Sequence, residues 1–162
     1  MEIKVEKMTT KYLLDEACSF TANKEVHPNL LKMYRAEHSV IRTQLFLVRM
    51  YDIKTFVSVH LVRHTQGISH FVKSNREDRP GHTGDLGRDQ PVNHLMFLNA
   101  QSLINLARKR LCNKAHKETI EVMKRIVEEV RKVDQDLAVC MVPDCIYRGK
   151  CNEPVSCGGY SK

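Results

Sequence analysis

The sequence predicts an α/β domain, a small and mostly antiparallel sheet with helices packed against it. Strand-like runs at 2–7, 45–51 and 92–98 supply the sheet. Apolar residues at helical spacing supply the helices, most clearly between Asn99 and Val133. At 162 residues the chain is one domain's worth, long enough for a single sizeable core. That domain is expected over 1–138, with 139–162 as a Cys-rich tail packed on it.

Residues 2–7 alternate weakly and read as a short strand. Tyr12 to Phe20 place Leu13, Leu14, Ala17 and Cys18 at helical spacing. Pro28 suits the first position of a helix over Asn29 to Ala36, with Leu30, Leu31 and Tyr34 facing inward. Leu45 to Tyr51 is the second strand. Ile53 to Val62 reads two ways: its β-branched residues and alternation argue strand, whereas its position before Arg63-His64 argues helix through the resemblance described below. Residues 77–91 carry three Gly and two Pro and form a loop. Asn99 is placed to cap a helix over Ala100 to Cys112 with Leu103, Leu106, Ala107 and Leu111 on its apolar side. A second helix runs from about Lys114 to Val133, striped by Ile120, Met123, Ile126, Val127 and Val130. The tail beyond 139 reads as irregular.

Composition narrows the function classes. A formal net charge of +7 and a pI near 9.2 suit an anionic partner, whether nucleotide, dinucleotide or nucleic acid. No apolar run approaches the roughly 18–20 residues of a membrane span. The N-terminal Met1-Glu-Ile-Lys-Val lacks the apolar stretch of a signal peptide, so a cytoplasmic location is expected. Six cysteines are present. Four thiolates, Cys140, Cys145, Cys151 and Cys157, are a conceivable zinc set, but their spacing is wider than the usual paired Cys-x2-Cys steps, and individually inert thiols are the favoured reading.

The stretch from Leu61 to Arg76 concentrates Arg63, His64, His70, Lys73 and Arg76, with Ser69 and Ser74 between them. Guanidinium forks and hydroxyl donors in this density favour a phosphate-bearing ligand, although a solvated basic loop has the same composition. The cluster leaves an apolar run, Phe56 to Val62, and so emerges from the core.

Its spacing resembles the signature of the flavin-dependent thymidylate synthases, an Arg-His-Arg triplet followed by Ser, then Asn-Glu, then Ser-x-Arg-Tyr. Arg63-His64 match the start and Ser74-x-Arg76 the end, while Thr65, Phe71-Val72 and Glu77 depart from it. Upstream, His38 stands at the family's distance before Arg63. Downstream, Asn99, Leu103, Asn105, Arg110, Leu111, Ala115 and Glu118 fall in register with the family's late helix, with Gln101 in place of an Arg. The tail pattern Cys145-x5-Cys151 with Ser156-Cys157-Gly158 is similar to that of some members. Between Ser-x-Arg and the late helix, members usually carry several tens of residues more, including a further phosphate-contacting Arg; here only loop 77–91, with Arg79 and Arg88, takes that place.

The resemblance implies FAD as cofactor, methylenetetrahydrofolate and NADPH as co-substrates, and reductive methylation of dUMP or a related pyrimidine deoxynucleotide. It implies Arg110 and Ser74 as catalytic, with Arg76 on the nucleotide phosphate and Ser74 and Arg110 on the nucleotide. His38, Arg63, His64, Asn99 and Asn105 would line the flavin. It also implies a homo-oligomer, a tetramer, with sites built where subunits meet. Thr65, Val72 and Gln101 remove family contacts. The alternative is an inactive relative of the scaffold that binds nucleotide or single-stranded nucleic acid.

Overall fold

The computed structural model describes residues 1–74, 76–81, 84 and 87–159. Four strands form one antiparallel sheet in the order β1-β2-β4-β3: β1 Glu2–Lys7, β2 Leu45–Lys54, β3 Ile68–Val72 and β4 Pro91–Asn99. The inward side chains are Ile3, Phe46, Val48, Met50, Val92, Met96 and Leu98, all buried. Their period of two reflects the pleat. A bulge between Met50 and Ile53 adds a residue to β2, so both of these side chains face the core. Asp52 takes a left-handed φ of 54° at the bulge, and its N–H donates to the Asn93 side chain. This bulge carries β2 past the expected end at Tyr51, to Lys54.

Among the described residues, seven α-helices accompany the sheet: α1 Tyr12–Ala22, α2 Leu30–Ala36, α3 Thr55–Val62, α4 Ala100–Arg110, α5 Lys117–Val133, α6 Gln135–Cys140 and α7 Asp144–Arg148. The ambiguous segment is a helix from Thr55 onward. Its β-branched residues disfavour a helix intrinsically. Burial of Phe56, Val57, Ser58 and Leu61 overrides that cost, because an eight-residue element buried on most sides is decided by packing. α2 starts at Leu30, two residues after Pro28, and Asn29 caps it: its side chain accepts from the Lys32 N–H at 2.9 Å. Asn99 caps α4 as expected, accepting from the Ser102 N–H at 3.0 Å. The α5 stripe shifts slightly, since Thr119 and Val122 are buried and Ile120 only partly.

Two features differ from the sequence expectation. Ile68–Val72 is an edge strand, where the composition read as a basic loop. The start of the tail is helical, not irregular. Asp134 starts α6 by accepting from the Leu137 N–H at 3.0 Å, and also accepts from the Tyr34 hydroxyl at 2.7 Å and Lys7 Nζ at 2.6 Å. Burial, and then the Asp134 charge, push the Tyr34 phenol far up. One buried carboxylate thus ties β1, α2 and α6 together. Among the described residues, the helices leave one sheet face uncovered, where Phe71 and Phe97 are exposed beside Leu47 and Leu95. No helix among the described residues is long and apolar enough to cross a membrane.

Candidate active site

A turn at residues 63–67 joins α3 to β3 and docks on the start of α4. Gly67 has a φ of +68°, and a Cβ there would stand 2.6 Å from Ser102 Oγ, so only glycine fits. Ser102 Oγ lies 2.9 Å from the Gln66 carbonyl and 3.2 Å from that of Gly67. The strand-to-helix step at Asn99 therefore fixes where Arg63 and His64 stand.

Helical geometry then separates the basic residues at the end of α4. Positions 108 and 110 point to opposite sides, about 200° apart. Arg108 turns toward α2 and α7: it pairs with Glu37, and its guanidinium lies 3.5 Å from the Tyr147 ring centroid. Burial works against the Glu37 charge, but bonds from Arg108, Gln101 and Tyr147 outweigh it and hold the carboxyl below its usual range. Arg110 turns toward α3. Its Nε donates to His64 Nε2 at 2.8 Å and its Nη2 to the His60 carbonyl at 2.6 Å. Two of the five guanidinium N–H donors are engaged in this grip.

The grip sets protonation. His64 must accept at Nε2, so its ring is the neutral tautomer with the proton on Nδ1. Burial, reinforced by the Arg110 charge, lowers its pKa from 6.5 to about 4. Burial and the Arg63 charge lower Arg110 from the ordinary guanidinium value.

Behind His64 runs a chain of side chains that the sequence reading missed. His70 Nε2 donates to the His64 carbonyl at 2.7 Å, since a carbonyl can only accept. His70 Nδ1 meets His94 Nε2 at 3.0 Å, and His94 Nδ1 meets Ser58 Oγ at 3.0 Å. With both rings neutral, Ser58 donates to His94, His94 to His70, and His70 to the backbone of His64. Burial, and then the proximity of the His70 ring, lower His94 to about 4. The signal for His94 was its parity: it shares the inward face of β4 with Val92, Met96 and Leu98.

A depression of about 420 Å³ lies over the Arg110 grip, lined by Arg63, His64, Lys109, Arg110, Lys114 and Glu153 among others. Asn105 lines the adjoining hollow with Arg63 and His64, and a third hollow joins Asn99, Asn105 and Arg42. Five of the sequence-selected residues, Arg63, His64, Asn99, Asn105 and Arg110, thus meet along one groove. His38 is exposed at the head of the Ser39–Thr43 turn, whose Arg42 reaches the third hollow.

Ser74 and Arg76 stand elsewhere. β3 pairs Ile68 with Leu98 at the groove end and Val72 with His94 at the other, so Ser74 and Arg76 follow the far end of the strand. Arg76 forms a fork to Asp78 at 2.9 Å on both oxygens. Within loop 77–91, Arg88 stacks on Phe56 at 5.0 Å, while positions 82, 83, 85 and 86 lie outside the described residues. Of the departures from the family pattern, Gln101 bonds Glu37 at 2.6 Å, and Thr65 and Val72 are exposed. Cys140 does not join Cys145, Cys151 and Cys157; Cys112 lines a cavity with those three instead. Among the described residues, no three potential ligands are gathered as a metal site.

The assembly is an α+β scaffold carrying a donor-rich cationic groove. Its fold is that of the flavin-dependent thymidylate synthases. A thymidylate synthase of this type from Helicobacter pylori, solved with FAD and dUMP, superposes with a TM-score of 0.72 at 14% identity, over 88% of this chain and 100% of that one. A second structure of the Helicobacter pylori enzyme with FAD and dUMP gives 0.69 at 14% identity, over 86% and 99%. A UMP/dUMP methylase, PolB from Streptomyces cacaoi, bound with 5-Br dUMP, gives 0.60 at 15% identity, over 86% and 94%. No family sequence profile and no curated protein sequence matches the chain.

Proposed function

We propose that this chain is a flavin-dependent thymidylate synthase-type enzyme that methylates dUMP or a related pyrimidine deoxynucleotide. The observation that carries the proposal is the Arg110–His64 clasp at the floor of a groove lined by four cations and one acid. That donor set fits a phosphate-bearing cofactor and an anionic nucleotide. Bound FAD, reduced by NADPH, supplies hydride, and methylenetetrahydrofolate supplies the carbon.

The residues of the chain bind and polarise. Arg110, held by two bonds, directs its charge at the pyrimidine carbonyl oxygens where negative charge develops. His64, neutral at physiological pH, orients that guanidinium without opposing its charge. Arg63, His64, His38, Asn99 and Asn105 line the flavin, with the Asn99 oxygen already engaged as the α4 cap. Ser74 and Arg76 orient the nucleotide and hold its phosphate. Their separation from the groove within one chain supports a site shared between subunits of a homotetramer, and the bare face at Phe71 and Phe97 offers an apolar surface for such assembly.

The test is product formation from dUMP with FAD, NADPH and methylenetetrahydrofolate. Methylated nucleotide that depends on all four supports the proposal. Salt-dependent oligonucleotide binding that ignores FAD and dUMP, with no product, favours the inactive-scaffold alternative.

A further inference from the structure

Two histidines, His70 and His94, play no part in the chemistry proposed above, yet the fold places both with care. His94 holds an inward position of β4 between Val92 and Met96, and like them it is buried. An apolar side chain there would bury no polar atom, so an imidazole is tolerated only with both nitrogens bonded. Both are: Nδ1 meets Ser58 Oγ and Nε2 meets His70 Nδ1, each at 3.0 Å. His70, half-buried on β3, completes the run by donating from Nε2 to the His64 carbonyl at 2.7 Å. The chain thus starts in the core, on α3 and β4, and ends on the backbone of the groove wall.

That wall has little packing to hold it. Arg63, Thr65, Gln66 and Gly67 are exposed, and His64 is only half-buried. Hydrogen bonds therefore set the shape of the turn. At its start the His64 N–H donates to the Leu61 carbonyl at 3.0 Å. At its end Ser102 Oγ lies against the Gln66 and Gly67 carbonyls, and its single proton serves one of them at a time. The His64 carbonyl lies between these anchors, and His70 bonds it there. His64 is gripped twice, at its backbone by His70 and at its ring by Arg110 Nε, 2.8 Å from His64 Nε2.

We propose that His70, backed by His94 and Ser58, is a positioning residue for the Arg110 clasp: it fixes the His64 peptide, and through the His64 ring the direction in which Arg110 presents its guanidinium to the groove. What Arg110 does there rests on the function proposed above; the bonds that aim it do not. An imidazole suits the task because its ring is stiff and its two nitrogens point in fixed, diverging directions. One nitrogen is anchored by the core and the other is left to hold the wall. His94 is the anchor, since its own ring is held by packing on both sides and by Ser58. Burial also strengthens each bond of the chain, because water competes for none of the inner partners.

The test is histidine side-chain NMR of the full chain with no flavin or nucleotide added. In the parent, His70 should carry its proton on Nε2, and His64 should be the Nδ1–H tautomer, neutral down to about pH 4. His70→Phe keeps a ring and removes the donor; His64 should then mix tautomers and titrate closer to 6.5. His70→Gln keeps a donor and an acceptor and should restore the single tautomer. Both variants remove the His70 ring, which with Arg110 and Lys109 also bears on the titration of His64, so the difference between them reads the hydrogen bond. In the assay of dUMP methylation, His70→Phe should lower kcat about 10–10²-fold at unchanged KM for dUMP, and His70→Gln should recover most of it. A His64 spectrum that is the same in the parent and His70→Phe overturns the proposal, and so does an equal effect of Phe and Gln. A parent His70 protonated on Nδ1 alone overturns it too, without any variant having to fold. The predicted tautomers and variant effects in a chain with no turnover support the positioning chain and count against the methylation reading alone.

Discussion

Replacing His94 by Gln tests the buried histidine chain. His94 is 2% exposed and its ring is neutral, with a pKa near 4 set first by burial and then by the proximity of the His70 ring. In the unfolded chain it titrates near 6.5. The folded value is the lower one, so the unfolded state binds the extra proton in acid. The contribution to stability is therefore complete above pH 6.5 and is lost as pH falls toward 4. Over that window the difference amounts to about 3 kcal/mol. The glutamine side chain would keep an amide donor for His70 Nδ1 and would not titrate. Ser58 would lose its acceptor, at a cost of about 1–3 kcal/mol at neutral pH. Urea unfolding at a series of pH values reads both effects. His94→Gln should start less stable at pH 7.5 and then fall less steeply, closing on the parent curve toward pH 4. Parallel curves for parent and variant would refute the assignment of the neutral, buried chain.

Other expectations follow from the same geometry. Asp134→Ala should cost about 3–5 kcal/mol by thermal or denaturant unfolding, since it strands Lys7 and the Tyr34 hydroxyl together; a loss below about 1 kcal/mol would mean that the carboxylate is not the tie described. Arg110→Ala should leave FAD uptake near normal and lower turnover by about 10²–10³, whereas Arg76→Ala should raise the nucleotide concentration needed; full dUMP-dependent activity in Arg110→Ala would remove Arg110 from the chemistry. Light scattering at micromolar concentration should give a tetramer, and a monomer would separate Ser74 and Arg76 from any groove.

Much of this was legible in the sequence, for reasons that differ by segment. Asn99 announced α4 because a cap followed by apolar residues at helical spacing has few other readings, and the groove residues on that helix came with it. The helix at Thr55–Val62 was decided by the resemblance, since its β-branched composition points the other way and only burial reverses it. Ile68–Val72 was hidden by its own chemistry: an edge strand exposes Ser69 and Phe71, and its inward residues are Ile68 and a histidine instead of an apolar pair. His94 was passed over because a histidine amid apolar residues gives no sign of its partners; Ser58 and His70 approach it only through tertiary structure. The cysteine set shows the same limit. Sequence proximity suggested Cys140, whereas the fold brings Cys112 to the cavity.

The central claim is that the groove over Arg110 holds a flavin beside a pyrimidine nucleotide. Titration of the purified chain with FAD, followed by flavin fluorescence and absorbance with and without dUMP, tests it most directly. The account predicts saturable uptake of FAD, a yellow protein, and a further spectral change when dUMP is added. Failure to bind FAD at tens of micromolar, in the presence or absence of dUMP, would contradict it.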